Sequence, residues 1–170
     1  MVDDNTQTPS VADLGLTAKK TARYLGALGL IPMLALAALA ALATSNAPPD
    51  WMRVALVSYA MLILAFMAGT LWARLIYRPP TAGDGRAQLL TSNALVLAAW
   101  PAIAMAAPGA SLWLGLLFAV HLGFDQPWRS QSGPGWYRHM RLWVSAVVIA
   151  SLIGGGLIGL GVDLWASTSP

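Results

Sequence analysis

Long, unbroken apolar runs constrain this chain more than any other feature. In the first of them Leu36, Leu39 and Leu42 interleave with Ala35, Ala38 and Ala41, so no polar stripe is left to face water. A helix that is apolar all round must be buried, and about 20 such residues cover a hydrocarbon core roughly 30 Å thick. Runs of this kind occupy residues 24–43, 54–77, 88–107, 110–125 and 141–165, the fourth being short. They are continuous rather than alternating, which points to helices and not barrel strands. In lipid every backbone N–H must be paired within its own segment or within a closed sheet.

Composition agrees, with 57% apolar residues, 10% charged residues and no Glu, and a mean hydropathy of +0.62. The expected fold is an all-α membrane protein: a five-helix transmembrane bundle over residues 22–166, forming one domain behind a mobile cytoplasmic tail of residues 1–21. The first run follows Lys19, Lys20 and Arg23 and is long enough to span, which favours a span over a cleaved leader. With no Cys in the chain, disulfides, thiol catalysis and thiolate metal sites are excluded.

Charge sets an orientation. On the five-helix map Lys19, Lys20, Arg23, Arg74, Arg78, Arg86, Arg129, Arg138 and Arg141 sort to one face and only Arg53 to the other. The positive-inside rule then places the N-terminus in the cytoplasm and the C-terminus outside. A basic inner face meeting anionic lipid accounts for the net charge of +3 without a nucleic-acid partner. Trp51, Trp100, Trp113 and Trp165 fall toward the outer ends of the runs and Trp72, Trp128, Trp136 and Trp143 toward the inner ends. Indoles prefer both interfaces, so these read as two anchoring belts, although Trp72 and Trp100 can also face the interior.

Packing signals are local. Ser151, Gly155 and Gly159 recur at a spacing of four in 151-SLIGGGLIGLG-161, a small-residue stripe that lets two backbones approach within the bundle or between copies. Pro32 and Pro101 each lack a backbone donor and should kink their helices. The short connection at 107-APGAS-111 makes the third and fourth helices an antiparallel hairpin. No internal repeat supports the inverted-repeat plan of many transporters.

No ionisable group falls at mid-depth, which counts against an ion-coupled transporter. Polar groups gather instead at the inner leaflet: Arg74, Ser92, Asn93, His121, Asp125, Arg138, His139 and Arg141. His121 and Asp125 are four residues apart, hence on one helix face, where the carboxylate can orient the imidazole or pair with Arg74 or Arg141. The simple reading is a satisfied interfacial cluster with snorkelling Arg side chains. The sharper one is a head-group-sized or metal site. His121, Asp125 and His139 supply three metal ligands at most, and a haem needs two axial His residues facing each other, whereas His139 follows 133-GPGWY-137 near the water interface. No phosphate loop, Ser-His-Asp set or zinc-protease motif is present. No catalytic, cofactor or metal residue is assigned, and 126-QPWRSQSGPGWYR-138 reads as an interfacial segment with Trp128, Trp136 and Tyr137 at head-group level and Arg129 and Arg138 toward phosphates.

Taken together, 25-LGALGLIP-32, 59-YAMLILAFMAGTLW-72, Trp100, Asp125 and 134-PGWYRHMRLWVS-145 resemble the bacterial membrane proteins of domain-of-unknown-function family 3429, which also includes a mitochondrial transmembrane protein 69. The resemblance runs from about residue 24 to 155. In that family the second helix tends to end in Gly-Gly-x-His/Arg-Trp-Gly, whereas this chain has Ala68, Gly69, Thr70, Leu71, Trp72 and Ala73. A shared chemistry needing a polar group at Leu71 would be missing here. The resemblance implies a multi-pass protein of the bacterial inner membrane and brings no biochemical activity with it. The leading expectation is an accessory, assembly or scaffold subunit contacting lipid, another membrane protein or a second copy. A small oligomeric transporter is the alternative, and a haem or metal redox protein using His121 and His139 is the third.

Overall fold

The computed structural model describes residues 11–42, 50–77, 84–105, 107–125 and 135–168. Within them lie five α-helices: α1 (Val11–Leu42), α2 (Asp50–Tyr77), α3 (Asp84–Ala99), α4 (Ala107–Asp125) and α5 (Gly135–Thr168), with a 3-10 turn at Trp100–Ile103 between α3 and α4. Three of the helices are long and apolar enough to cross a membrane, over Gly15–Leu39, Trp51–Trp72 and Gly135–Gly161. The other two are shorter: α3 has 16 residues before the turn and α4 has 19. Five helices therefore form as expected, but only three qualify as spans by their own length and composition.

All five helices start earlier than in the hydropathy reading, most of all α1 and α5, and α3 gives way to the 3-10 turn before residue 107. α1 reaches back to Val11, through part of the stretch expected to be a mobile tail, and α5 begins at Gly135 rather than near residue 141. Hydropathy marks where a helix is apolar, whereas the backbone ladder continues for as long as residues such as Ala, Lys and Arg sustain it. Residues 1–10 and the interfacial stretch 126–134, with Trp128 and Arg129, lie outside the described residues.

α4 lies at the centre, packed against α2, α3 and α5, while α1 lies at the side against α2 and α5. Leu114 and Phe118 of α4 meet a core that includes Leu64 of α2, Leu95 of α3 and Val148 and Leu152 of α5, all buried. The outer surface is apolar instead of charged: Leu62, Phe66, Leu97 and Trp143 are each between 67% and 75% exposed.

Both helix prolines sit beside a carbonyl that a neighbouring helix satisfies. α1 continues through Pro32, and the Gly29 carbonyl, three residues before it, accepts from the Tyr59 hydroxyl of α2 at 2.6 Å. Pro101 ends α3 in the tighter turn, and the Ala98 carbonyl, again three residues before, accepts from Trp113 Nε1 of α4 at 2.7 Å. Pro101 lacks the donor that a 3-10 turn would aim at the Ala98 carbonyl, and the indole supplies one from outside. Pro32 frees the Leu28 carbonyl, and the Tyr59 bond to Gly29 ties α1 to α2 beside that break. Trp113 is thus half-buried and donates to a neighbouring helix. Trp51, Trp100, Trp143 and Trp165 do lie exposed.

Cross-helix contacts fix the ends of the bundle. Near the start of α2, Arg53 Nη1 donates to the carbonyls of Ile103 and Met105 at 3.3 and 3.2 Å, capping the turn that follows α3. Near its end, Trp72 Nε1 donates to Ser92 Oγ of α3 at 2.9 Å. At about 1.5 Å per residue, Arg53 and Thr70 stand roughly 26 Å apart along α2.

The glycine seam exists with a different phase. A Cβ on Gly156 would stand 2.7 Å from Leu112 Cγ and 3.0 Å from the Pro108 carbonyl of α4, and one on Gly159 would stand 3.0 Å from Pro108 Cγ. Of the expected stripe Ser151, Gly155 and Gly159, Gly159 makes this contact and Gly155 faces open space within the single chain. The close approach follows Leu152, Gly156 and Gly159, the alternation of four and three that tracks a 3.6-residue helix. Gly115 completes it from α4, because a Cβ there would lie 2.8 Å from Ile153 Cγ1.

Candidate functional site

The helix faces that build the core turn polar at one end of the bundle. On α4 the buried positions Leu114, Phe118, His121 and Asp125 follow one stripe, and on α5 Arg141, Ser145, Val148 and Leu152 follow another. α4 and α5 pack along these stripes, so His121, Asp125 and Arg141 are brought together by the same register that aligns the apolar residues above them.

Arg141 is the hub. Its Nε lies 2.8 Å from Asp125 Oδ2, with both side chains under one-tenth exposed. Its Nη1 donates to Thr70 Oγ1 of α2 at 2.6 Å and to the Tyr137 hydroxyl one turn earlier on α5 at 3.1 Å. Its Nη2 lies 3.3 Å from His121 Nε2, and its Cζ lies 5.8 Å from the Tyr137 ring centroid. Thr70 passes its own proton to the Met67 carbonyl at 2.7 Å. A guanidinium can only donate, so the contact with His121 requires a lone pair on Nε2, which places the imidazole proton on Nδ1. One cation is thus satisfied by an anion, two hydroxyl oxygens and an imidazole, drawn from three helices.

Taking a carboxylate and a guanidinium out of water costs several kcal/mol per ion before their mutual attraction is counted, and excellent geometry with further hydrogen bonds is what makes such a pair tolerable. Those conditions are met here. Chemically the cluster can hold α2, α4 and α5 in one register, but its donors and acceptors are turned on each other.

The structure brings together His121, Asp125 and Arg141 and turns Asn93 and His139 to carbonyls of their own helices. Asn93 is exposed and returns its amide to the Leu89 carbonyl of its own helix at 3.1 Å. His139 is exposed, with Nδ1 2.8 Å from the Gly135 carbonyl. Arg138 is half-buried, and the Arg74 side chain lies outside the described residues. Buried Ser92 pairs with Trp72. His121 and His139 are therefore not arranged as facing ligands, and among the described residues no group of three or more His, Asp or Glu side chains could hold a metal ion.

Thr70 and Tyr137 are members that sequence reasoning missed. Thr70 sits inside a long apolar run and Tyr137 reads as an interfacial anchor. The signal that finds them is the donor count of Arg141, since one carboxylate and one imidazole cannot satisfy a buried guanidinium.

Among protein-family models, one described as "Protein of unknown function (DUF3429)" matches residues 18–157, which covers the whole bundle up to the last turns of α5. No curated protein and no solved structure matches the chain.

Proposed function

The chain belongs to the DUF3429 family, and we propose that it is a bilayer-embedded bundle of five crossings, N-terminus in and C-terminus out, acting as an accessory or scaffold subunit of the bacterial inner membrane. One observation carries this reading: Arg141, Asp125, His121 and Thr70 pair with one another inside while large apolar side chains cover the outside. A soluble monomer rarely exposes contiguous apolar patches beyond a few hundred Å². Hydrocarbon is the solvent for such a surface, and a partner's helices can replace lipid on it at little cost.

Three apolar spans become five crossings through the level contacts. If α2 crosses the bilayer, then α3 with its turn crosses as well, since it meets α2 at Ser92 near one end and at Ile103 and Met105 near the other. α4 returns from that level to Asp125, which reaches Arg141 beside Thr70. α3 is short and more polar and α4 is apolar but short, and α4 is shielded by α2, α3 and α5.

A transporter would present its polar groups to a path, whereas here His121 and Asp125 face Arg141 and Ser92 pairs with Trp72. The scaffold reading is tested by mild-detergent affinity purification from native membranes with mass spectrometry of what co-purifies. A stoichiometric membrane protein partner is the expected result. A lone chain or a homo-oligomer that conducts solute in liposomes would overturn it.

A further inference from the structure

We propose that the groove between α1 and α5 is a binding site for one anionic phospholipid, a reading that rests on the bundle being embedded in a bilayer. The two helices touch at Gly26, where an added Cβ would lie 3.4 Å from Met140 Sδ. Beside this contact an open groove of about 560 Å³ runs between them. Its lining changes character along the helices. Arg23, His139 and Trp136 stand at one end; Ala27, Leu30, Val144 and Val147 follow toward the other. On both helices the polar residue comes first and the apolar ones come one and two turns later. At about 1.5 Å per residue, Arg23 to Leu30 and His139 to Val147 cover roughly 10 to 12 Å of helix each.

That gradient is the shape of an amphiphile with a charged head and an aliphatic chain. The head must be anionic. Arg23 is exposed, Lys20 is exposed one turn before it, and no Asp lines the groove. The Arg23 guanidinium offers parallel N–H donors to a phosphate, and His139, whose Nδ1 meets the Gly135 carbonyl, borders the same space. Trp136 and Trp143 border the groove with the amphipathic indoles that prefer head-group depth. The volume falls within the 300 to 1,000 Å³ of small-molecule sites, whereas a docked helix about 10 to 12 Å across needs a longer trough. The site lies apart from the Arg141 cluster, whose donors are already used.

The test uses the full chain, purified in mild detergent and titrated with phosphatidylglycerol or phosphatidylcholine under native mass spectrometry. One phosphatidylglycerol per chain should survive desolvation, with phosphatidylcholine held far less. The double variant R23Q/H139Q should weaken phosphatidylglycerol retention about tenfold or more, the loss expected for charge-assisted hydrogen bonds to the phosphate. R86Q, a basic change on exposed α3 surface, should leave it unchanged. A27W keeps the charges and fills the apolar end, and should also lower retention. Equal retention of the two lipids, or full retention by both groove variants, would overturn the proposal, as would a co-purifying protein cross-linked to α1 and α5 at Ala27 and Val144. Failure here with correct membrane insertion leaves the bundle reading intact, whereas failure to partition into membranes removes both.

Discussion

Arg141 brings a permanent charge to a place sealed from solvent by α2, α4 and α5, so its neighbours decide whether the bundle can close. Removing its anion strands that charge: Asp125→Ala should cost about 3–5 kcal/mol, the range for breaking one partner of a buried pair. Reversible unfolding of the purified bundle in mixed micelles measures it. Replacing both partners with apolar residues of similar size, Asp125→Leu with Arg141→Met, should recover most of that loss, because no unpaired charge remains. A double variant no more stable than the single one would sink the idea that desolvation governs the cluster. Ser145 gives the converse case. It is 1% exposed, and its Oγ has no hydrogen-bond partner among the described residues. Ser145→Ala should therefore be neutral or slightly stabilising in the same assay, since it deletes a buried polar atom and no bond. The pairing of His121 with Asp125 on one face was legible from their spacing, and Arg141 from its place at the inner end. Asn93 and His139 were not separable from them, because depth along a helix is written in hydropathy but rotation about its axis is not when every face is apolar.

The same loss of rotational information governs the helices. In a water-soluble helix the polar face marks the outside; here lipid accepts apolar residues all round, so the sequence 151-SLIGGGLIGLG-161 announces a close contact without saying which glycine makes it. Gly156 is the one pressed against Leu112 and the Pro108 carbonyl, whereas Gly155 looks into open space. Gly156→Ala should thus destabilise the bundle by about 1–3 kcal/mol through overpacking against backbone. Gly155→Ala should be silent or stabilise by up to about 1 kcal/mol through helix propensity. Thermal aggregation midpoints of the two variants, taken side by side, check the phase directly; equal behaviour would mean the seam does not run through Gly156. The proline sites extend the point. Pro101 told where α3 would fail, but not that an indole from α4 would mend the turn, since that partner lies in another helix and is fixed only by packing.

At the scale of the whole molecule the question is how many times the chain crosses: the apolar runs of the sequence suggest five, whereas three of the described helices are long and apolar enough on their own. Contacts at both ends of α2 argue for five, because Arg53 binds the exit of α3 while Trp72 and Thr70 bind groups at the opposite end. The helical fold class was legible because each apolar run marks its own segment separately. α3 and α4 are the shorter helices, and α4 is packed among α2, α3 and α5. The chain has no Cys, so single cysteines report position cleanly. Ala104 is exposed beside the Arg53 level and Arg86 is exposed near the start of α3. With N-in, C-out and five crossings, a membrane-impermeant maleimide applied to intact spheroplasts should label Ala104→Cys and Ser167→Cys and leave Thr21→Cys and Arg86→Cys unlabelled until the membrane is opened. With three crossings Ser167→Cys still labels, but Ala104→Cys is protected, since α3 and α4 then stay on the inner side. Labelling at Ala104 therefore separates two topologies that the termini cannot distinguish.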